Sequence, residues 1–157
     1  MKRTNYNELI SEIKELIEGV PYPITNYANV AAAIFRSLPN INWAGFYLME
    51  GDSLILGPFQ GKPACVSIPL GKGVCGTAIK EKESMIVNDV HSFPGHIACD
   101  SDSRSEIVIP MVKNNKAIGV LDIDSPILNR FDENDKIELE KIVQFLADSL
   151  PNLVHNI

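Results

Sequence analysis

The stretch that decides the fold is "EIVIPMVKNNKAIGVLDID", residues 106–124. Two apolar runs rich in β-branched residues flank a short polar centre, a pattern typical of paired strands in a sheet. Asn114-Asn115 falls at the centre, where a two-residue turn would join them. The stretch therefore predicts an antiparallel hairpin.

The second strand of this hairpin carries two carboxylates near its end. Strand alternation places four side chains on one face: Ile118, Val120, Asp122 and Asp124. Buried and unpaired carboxylates are costly, so either the strand end is exposed or the acids bind a cation such as a ligand ammonium group. Crowded like charges would also raise one pKa and let that carboxyl donate a proton near neutral pH.

Glu106, at the start of the first strand, would be a third acid in this neighbourhood. With an unbroken two-residue turn it pairs with Ile123, on the face away from Asp122. A β-bulge or a different loop length would bring it round, and Pro110 makes a bulge plausible in the first strand because proline cannot donate a ladder hydrogen bond. We predict that Glu106 points into the same pocket as the aspartates, against the simple register.

Outside the hairpin, the apolar pattern predicts strands in the middle of the chain and helices at its ends. Further strands are expected in residues 41–50, 53–59, 65–70 and 84–90, and helices in residues 5–19, 25–39, 73–82 and 132–150. In the last helix the apolar stripe would hold Ile137, Ile142, Val143, Leu146 and Leu150. We expect an α+β fold, with about six mostly antiparallel strands and helices packed on the sheet.

Length and charge narrow the function. A chain of 157 residues suits a single domain, here residues 1–157, with residues 1–25 as a helical extension and a core from about 26 to 150. The net charge of −6 and the lack of a basic stripe argue against nucleic-acid binding. No apolar run reaches the ~18 residues of a membrane span, and the amino terminus has no apolar signal core, so we expect a cytoplasmic protein.

Trp43, Gly45 and Tyr47 share one face of the strand "INWAGFYLME". The glycine would leave room beside two rings that offer apolar walls and polar tips, which suits a small-ligand pocket. The alternative is ordinary core packing with the polar tips reaching water.

The protein has three cysteines, an odd number that does not suit a permanent disulfide framework in a reducing compartment. Cys99 lies in a long polar loop, residues 91–105, where a thiol has no packing role. His96 and Arg104 would favour its thiolate, whereas Asp100 and Asp102 would oppose it.

The other two cysteines are less informative. Cys75, in the first turn of a short helix, could be a small packed residue, and Cys65, at a strand start, could be packed or reactive. His91, His96 and Cys99 form a loose metal-binding pattern without a Cys-x-x-Cys pair, so we predict no metal and keep a metal-bound regulatory domain as an alternative.

Four segments together resemble the free methionine-(R)-sulfoxide reductases, which are GAF-domain enzymes. They are "NINWAGFYL", "ACVSIPLGKGVCGTA", "VHSFPGHIACDSDSRSEIVIP" and "GVLDIDSP", and the likeness runs from about residue 26 to 150. The Gly-rich "GVCGTA" segment alone would suggest only a GAF domain, a fold that more often binds regulatory ligands. A ligand sensor and a redox switch therefore remain the alternatives.

The resemblance implies an oxidoreductase that converts free L-methionine (R)-S-oxide to methionine, with thioredoxin as reductant, no bound cofactor and a homodimeric assembly. By resemblance Cys99 is the catalytic cysteine, Cys65 the resolving one and Cys75 an auxiliary one. The implied substrate site consists of Trp43, Tyr47, Glu106, Asp122 and Asp124. Because a disulfide needs Cα atoms within ~7 Å, the Cys99 loop should move between redox states.

Overall fold

The computed structural model describes residues 3–97 and 99–151 of the chain. Its strands are β1 (Trp43–Glu50), β2 (Ser53–Gly61), β3 (Ser67–Pro69), β4 (Met85–Val87), β5 (Ser105–Lys113) and β6 (Lys116–Ser125). Its α-helices are α1 (Tyr6–Ile17), α2 (Pro23–Ser37), α3 (Gly73–Glu81) and α4 (Glu133–Ser149). The strands form one sheet in the order β3-β2-β1-β6-β5-β4, with every neighbouring pair antiparallel, so the predicted α+β fold is confirmed.

The sheet has two differently covered faces. On the helix face, α2 packs on β1 and β2, α4 packs on β5, and α1 lies against α2 and α4. On the opposite face, α3 packs on β5 and β6. We call this second face the α3 face; it is only partly covered by a helix, which leaves room for loops and for a site.

The helix ends follow the sequence signals. Asn5 accepts a hydrogen bond from the backbone of Glu8, and Asp132 forms a capping box with Asp135 at the start of α4. The predicted stripe of α4 is wrong at Ile137, which is 48% exposed, whereas Leu139 is fully buried in its place. The two positions lie about 200° apart on a helix, so both cannot face the sheet.

A bulge sets the register of the β5–β6 hairpin. Asn114 and Asn115 have φ angles of 52° and 63°, as a two-residue hairpin turn requires. The register then shifts: Val112 pairs with Ala117, but Met111 pairs with Gly119, so Ile118 is an extra residue in β6. The predicted bulge is therefore real, but it lies in β6 and not at Pro110 in β5.

Because of the bulge, the predicted face of Ile118 is wrong. Its side chain packs in the core of the helix face, whereas Val120 packs on the α3 face. Beyond the bulge, Glu106 pairs with Asp124 and Val108 with Asp122. Directly paired residues share a face, so Glu106 joins the aspartates as predicted.

The predicted alternation of β1 is confirmed. Trp43 and Tyr47 pack on the α3 face, and Ala44 and Phe46 pack on the helix face. Gly45 does leave room, but a Cβ there would lie 2.7 Å from the Trp43 ring and 2.3 Å from Phe59 Cβ. The space is thus filled by two stacked side chains of the protein, and not by a gap for a ligand.

We expect Gly45→Ala to destabilise the protein by about 1–3 kcal/mol, because the new methyl group must displace the Trp43 ring or the Phe59 strand. Thermal and urea unfolding measure this change. Gly51→Ala is the control for steric effect: nothing lies within 4 Å of a Cβ there, although its φ of 61° adds backbone strain. A stability of Gly45→Ala equal to that of the wild type would contradict the packing described here.

Among the described residues, no helix combines the length and the apolar character that crossing a membrane requires.

Candidate active site

Three neighbouring strands place an acidic cluster on the α3 face. Trp43 of β1 pairs with Asp124 of β6, which in turn pairs with Glu106 of β5. Asp122 lies two residues from Asp124, so it occupies the next row on the same face. Glu106 and Asp122 are each only 6% exposed, and Asp124 is half-buried. The acids are therefore not solvated at an exposed strand end.

Helix α3 adds a thiol to this cluster. Cys75 is 3% exposed, and its Sγ lies 4.0 Å from Glu106 Oε2. One potential ligand atom from each of Cys75, Glu106 and Asp122 lies within 4.8 Å of the others. This trio differs from the loose sequence pattern of His91, His96 and Cys99, and His91 is exposed at the surface.

Burial and mutual repulsion raise the pKa values of the groups in this cluster. The pKa of Glu106 is raised well above its ordinary value by burial and then by the neighbouring Asp122 and Asp124 carboxylates. Burial likewise raises the pKa of Asp122, although hydrogen bonds from Glu106 and Cys75 partly oppose the rise. Burial raises the pKa of the Cys75 thiol well above its ordinary value, so Cys75 is a poor nucleophile near neutral pH.

The two remaining cysteines are joined. Cys65, between β2 and β3, forms a disulfide with Cys99; their Cα atoms lie 5.4 Å apart, and the two residues are separated by 34 positions in sequence. This is the pairing that the resemblance implies.

The disulfide lies beside the acidic cluster. A cavity of about 40 Å³ is lined by Cys99 together with Trp43, Tyr47 and the three acids, and Cys65 is not among its lining residues. A cavity of this size holds a few water molecules. Cys99 of the polar loop, Trp43 and all three acidic residues therefore line one cavity, with the disulfide beside it.

The electrostatics around Cys99 differ from the expectation. Burial and His91 lower the pKa of His96, so His96 is neutral near pH 7 and adds little positive charge. Asp102, which was expected to oppose a thiolate, forms an ion pair with Lys62 at 2.5 Å, and Arg104 is exposed.

Asn42 and Ser103 are two further residues of the site that the sequence did not predict. Asn42 Nδ2 donates to Asp100 Oδ2 at 3.0 Å and lies 3.1 Å from Ser103 Oγ, so it ties the Cys99 loop to the start of β1. Neither residue stands out in the sequence, because the contacts span about 60 positions. The adjacency of Asn42 to Trp43 was the only available signal.

The chain is similar to several known proteins. The GAF domain family model matches residues 25–150. The free methionine-R-sulfoxide reductase of Escherichia coli is 50% identical over 145 residues, which cover 92% of this chain and 88% of that protein.

Two solved structures of the Staphylococcus aureus protein described as fRMsr also match. The reduced form superposes with a TM-score of 0.93 at 54% identity, covering 96% of this chain and 97% of that one. The complex with substrate superposes with a TM-score of 0.92 at 53% identity, covering 96% of this chain and 99% of that one. These matches extend over nearly the whole chain at high identity. The chain is a GAF-domain protein and belongs to the free methionine-R-sulfoxide reductase family.

Proposed function

We propose that the protein reduces free L-methionine (R)-S-oxide to L-methionine, using Cys99 as nucleophile and thioredoxin as the final reductant. The observation that carries this proposal is the Cys65–Cys99 disulfide at the cavity lined by Trp43 and three buried acids. A redox-active thiol pair beside proton donors is what sulfoxide reduction requires.

In the first step the Cys99 thiolate attacks the sulfoxide sulfur. The oxygen leaves the substrate sulfur and ends on Cys99, which becomes a sulfenic acid, while the substrate gains two electrons and leaves as methionine. The loop that carries Cys99 must be open for this step, because the cavity beside the disulfide is far smaller than an amino acid.

A buried carboxyl would protonate the departing oxygen. Glu106 is the first candidate, because burial and two neighbouring carboxylates all raise its pKa and Glu106 is almost fully buried. Asp122 and Asp124 are the alternatives, since the pKa of each is also raised by burial. A neutral carboxyl near pH 7 is a far better acid than bulk water.

Recycling needs the second cysteine and an external dithiol. The Cys65 thiol attacks the sulfenic sulfur of Cys99, the S–O bond breaks, and water leaves as the disulfide forms. Thioredoxin would then reopen the bond by thiol–disulfide exchange. Both cysteines are partly exposed, which supports access by a protein reductant.

The acids also support the choice of a free amino acid. Asp122 Oδ1 is buried without a hydrogen-bond partner among the described residues, and Asp122 lines the cavity. An ammonium group would satisfy this atom, whereas a residue within a peptide carries a neutral amide there. The tryptophan wall would hold the methyl and methylene groups.

The test is a thioredoxin-coupled assay, followed by NADPH oxidation, with free methionine (R)-sulfoxide and with the same residue inside a short peptide. We expect turnover on the free amino acid and background rates on the peptide. Activity on the peptide alone would refute the proposed use of the acids, and absence of activity on both would refute the reductase. The homodimer and the cytoplasmic location stay predictions.

A further inference from the structure

We propose that the polar tips of Trp43 and Tyr47 position the Cys65 loop, residues 62–66, for disulfide closure, so that both are positioning residues as well as pocket walls. This inference rests on the proposed function, because it assigns a role in the second step of that reaction. It goes beyond substrate contact, which concerns only the faces of the two rings.

Two side-chain hydrogen bonds hold the Cys65 loop. Tyr47 Oη donates to the backbone carbonyl of Cys65 at 2.9 Å, and Trp43 Nε1 donates to the carbonyl of Lys62 at 3.0 Å. Both donors belong to side chains that are 2% exposed, and their rings stack with centroids 5.9 Å apart. The donors are thus held rigidly by the core of the α3 face.

The Cys65 loop has little other support. Within the described residues, positions 62–65 make no backbone–backbone hydrogen bond, and the loop is first tied to the sheet where the carbonyl of Val66 accepts from Leu56. The carbonyls of Lys62 and Cys65 therefore depend on the two ring donors. Two anchors three residues apart, with Pro63 between them, restrict the backbone of the loop that presents the Cys65 sulfur.

The start of β1 also holds the second cysteine loop. Asn42, next to Trp43, donates to Asp100, which directly follows Cys99. The ion pair between Lys62 and Asp102 then links the two loops to each other. One short segment of β1 therefore serves as a common support for both sulfurs, which is what a fast intramolecular reaction needs.

Closure is the step that depends on this support. The Cys65 thiol and the Cys99 sulfenic acid must bring their Cα atoms to within disulfide range, which the closed form meets at 5.4 Å. The Tyr47 phenol can hold the Cys65 carbonyl at any physiological pH, because burial and the nearby Asp122 raise its pKa far above neutrality. Loss of a buried hydrogen bond of this kind lowers an equilibrium or rate constant by about tenfold.

The experiment is a single turnover of the reduced protein with free methionine (R)-sulfoxide, in which methionine, the Cys65–Cys99 disulfide and the dimedone adduct of Cys99 are measured over time. In Tyr47→Phe we expect disulfide formation to slow about tenfold more than methionine formation. The dimedone adduct should therefore accumulate. Trp43→Phe should show the same imbalance. Tyr27→Phe, which removes a buried phenol on the helix face, should show none.

Two outcomes would overturn the inference. One is an equal slowing of methionine and disulfide formation in Tyr47→Phe, which would leave only a role in substrate binding. The other is a dimedone adduct that stays at the wild-type level.

A second measurement is the equilibrium between the Cys65–Cys99 disulfide and glutathione. In Tyr47→Phe the equilibrium constant for reduction of the disulfide should be about tenfold larger than in the wild type. Methionine formation by the wild type tests the proposed function separately.

Discussion

Cys99→Ser is expected to abolish reduction of free methionine (R)-sulfoxide, lowering turnover by more than about 10³-fold, because a hydroxyl can neither attack the sulfoxide sulfur readily nor accept its oxygen. The protein should remain folded, since Cys99 is only half-buried in a loop outside the sheet. Methionine formed per pre-reduced protein, in a single turnover without added reductant, measures the effect.

Cys65→Ser provides the matched control, because it removes the partner of the same disulfide. Without reductant this variant should still form one methionine per protein, and added dithiothreitol should reduce its sulfenic acid directly and allow further turnovers. Turnover with thioredoxin should be far slower than that of the wild type. If Cys99→Ser released one methionine per protein, the nucleophile would be another residue.

Glu106→Gln has the second largest expected effect, a fall of about 10²–10⁴-fold in kcat, which is the range for loss of a general acid. The glutamine keeps the size of the side chain and a hydrogen-bond donor but has no proton to transfer. The wild-type rate should decline as the pH rises through the raised pKa of Glu106, because the carboxyl then ionises. This alkaline limb should be absent in the variant.

Glu83→Gln, which alters an exposed carboxylate, is the control and should leave the profile unchanged. If Glu106→Gln kept the alkaline limb and most of the wild-type rate, Glu106 would not be the general acid, and Asp122 or Asp124 would be the remaining candidates. The same pH series on Asp122→Asn and Asp124→Asn would then identify the donor.

Stability provides an independent check on the same variant. The folded state raises the pKa of Glu106, so the folded protein binds this proton more tightly than the unfolded chain, and stability falls as the pH rises above about 4.3, the unfolded value. Glu106→Gln carries no such loss. The melting temperature of the variant relative to that of the wild type should therefore be higher at pH 8 than at pH 5. A misfolded variant would instead melt below the wild type at both pH values.

The sequence predicted the parts of the site that depend on local pattern. Alternation placed Trp43 and Tyr47 together on one face of β1, and Asp122 and Asp124 together on one face of β6. The structure shows that these are the same face of the sheet. The register of Glu106 depended on one extra residue, Ile118, whose bulge no local pattern revealed. Ile137 was misassigned because an apolar residue on a helix need not face the core.

The long-range contacts could not be predicted from single residues. Three cysteines allow three pairings, and only the resemblance favoured Cys65 with Cys99. The hydrogen bonds of Asn42 to the Cys99 loop join side chains that the chain brings together only by folding. Propensity and periodicity describe neighbours in sequence and carry no information about such pairs.

The extra residue in β6 has a consequence for how such proteins can be altered. If Ile118 took a regular place in the ladder, Glu106 would lie opposite Ile123, and its carboxyl would turn to the far side of the sheet. An alignment of the reactive residues would look the same in either register. A substitution near Ile118 that favours the regular register can therefore inactivate the protein with every reactive residue present, although Ile118 does not line the cavity.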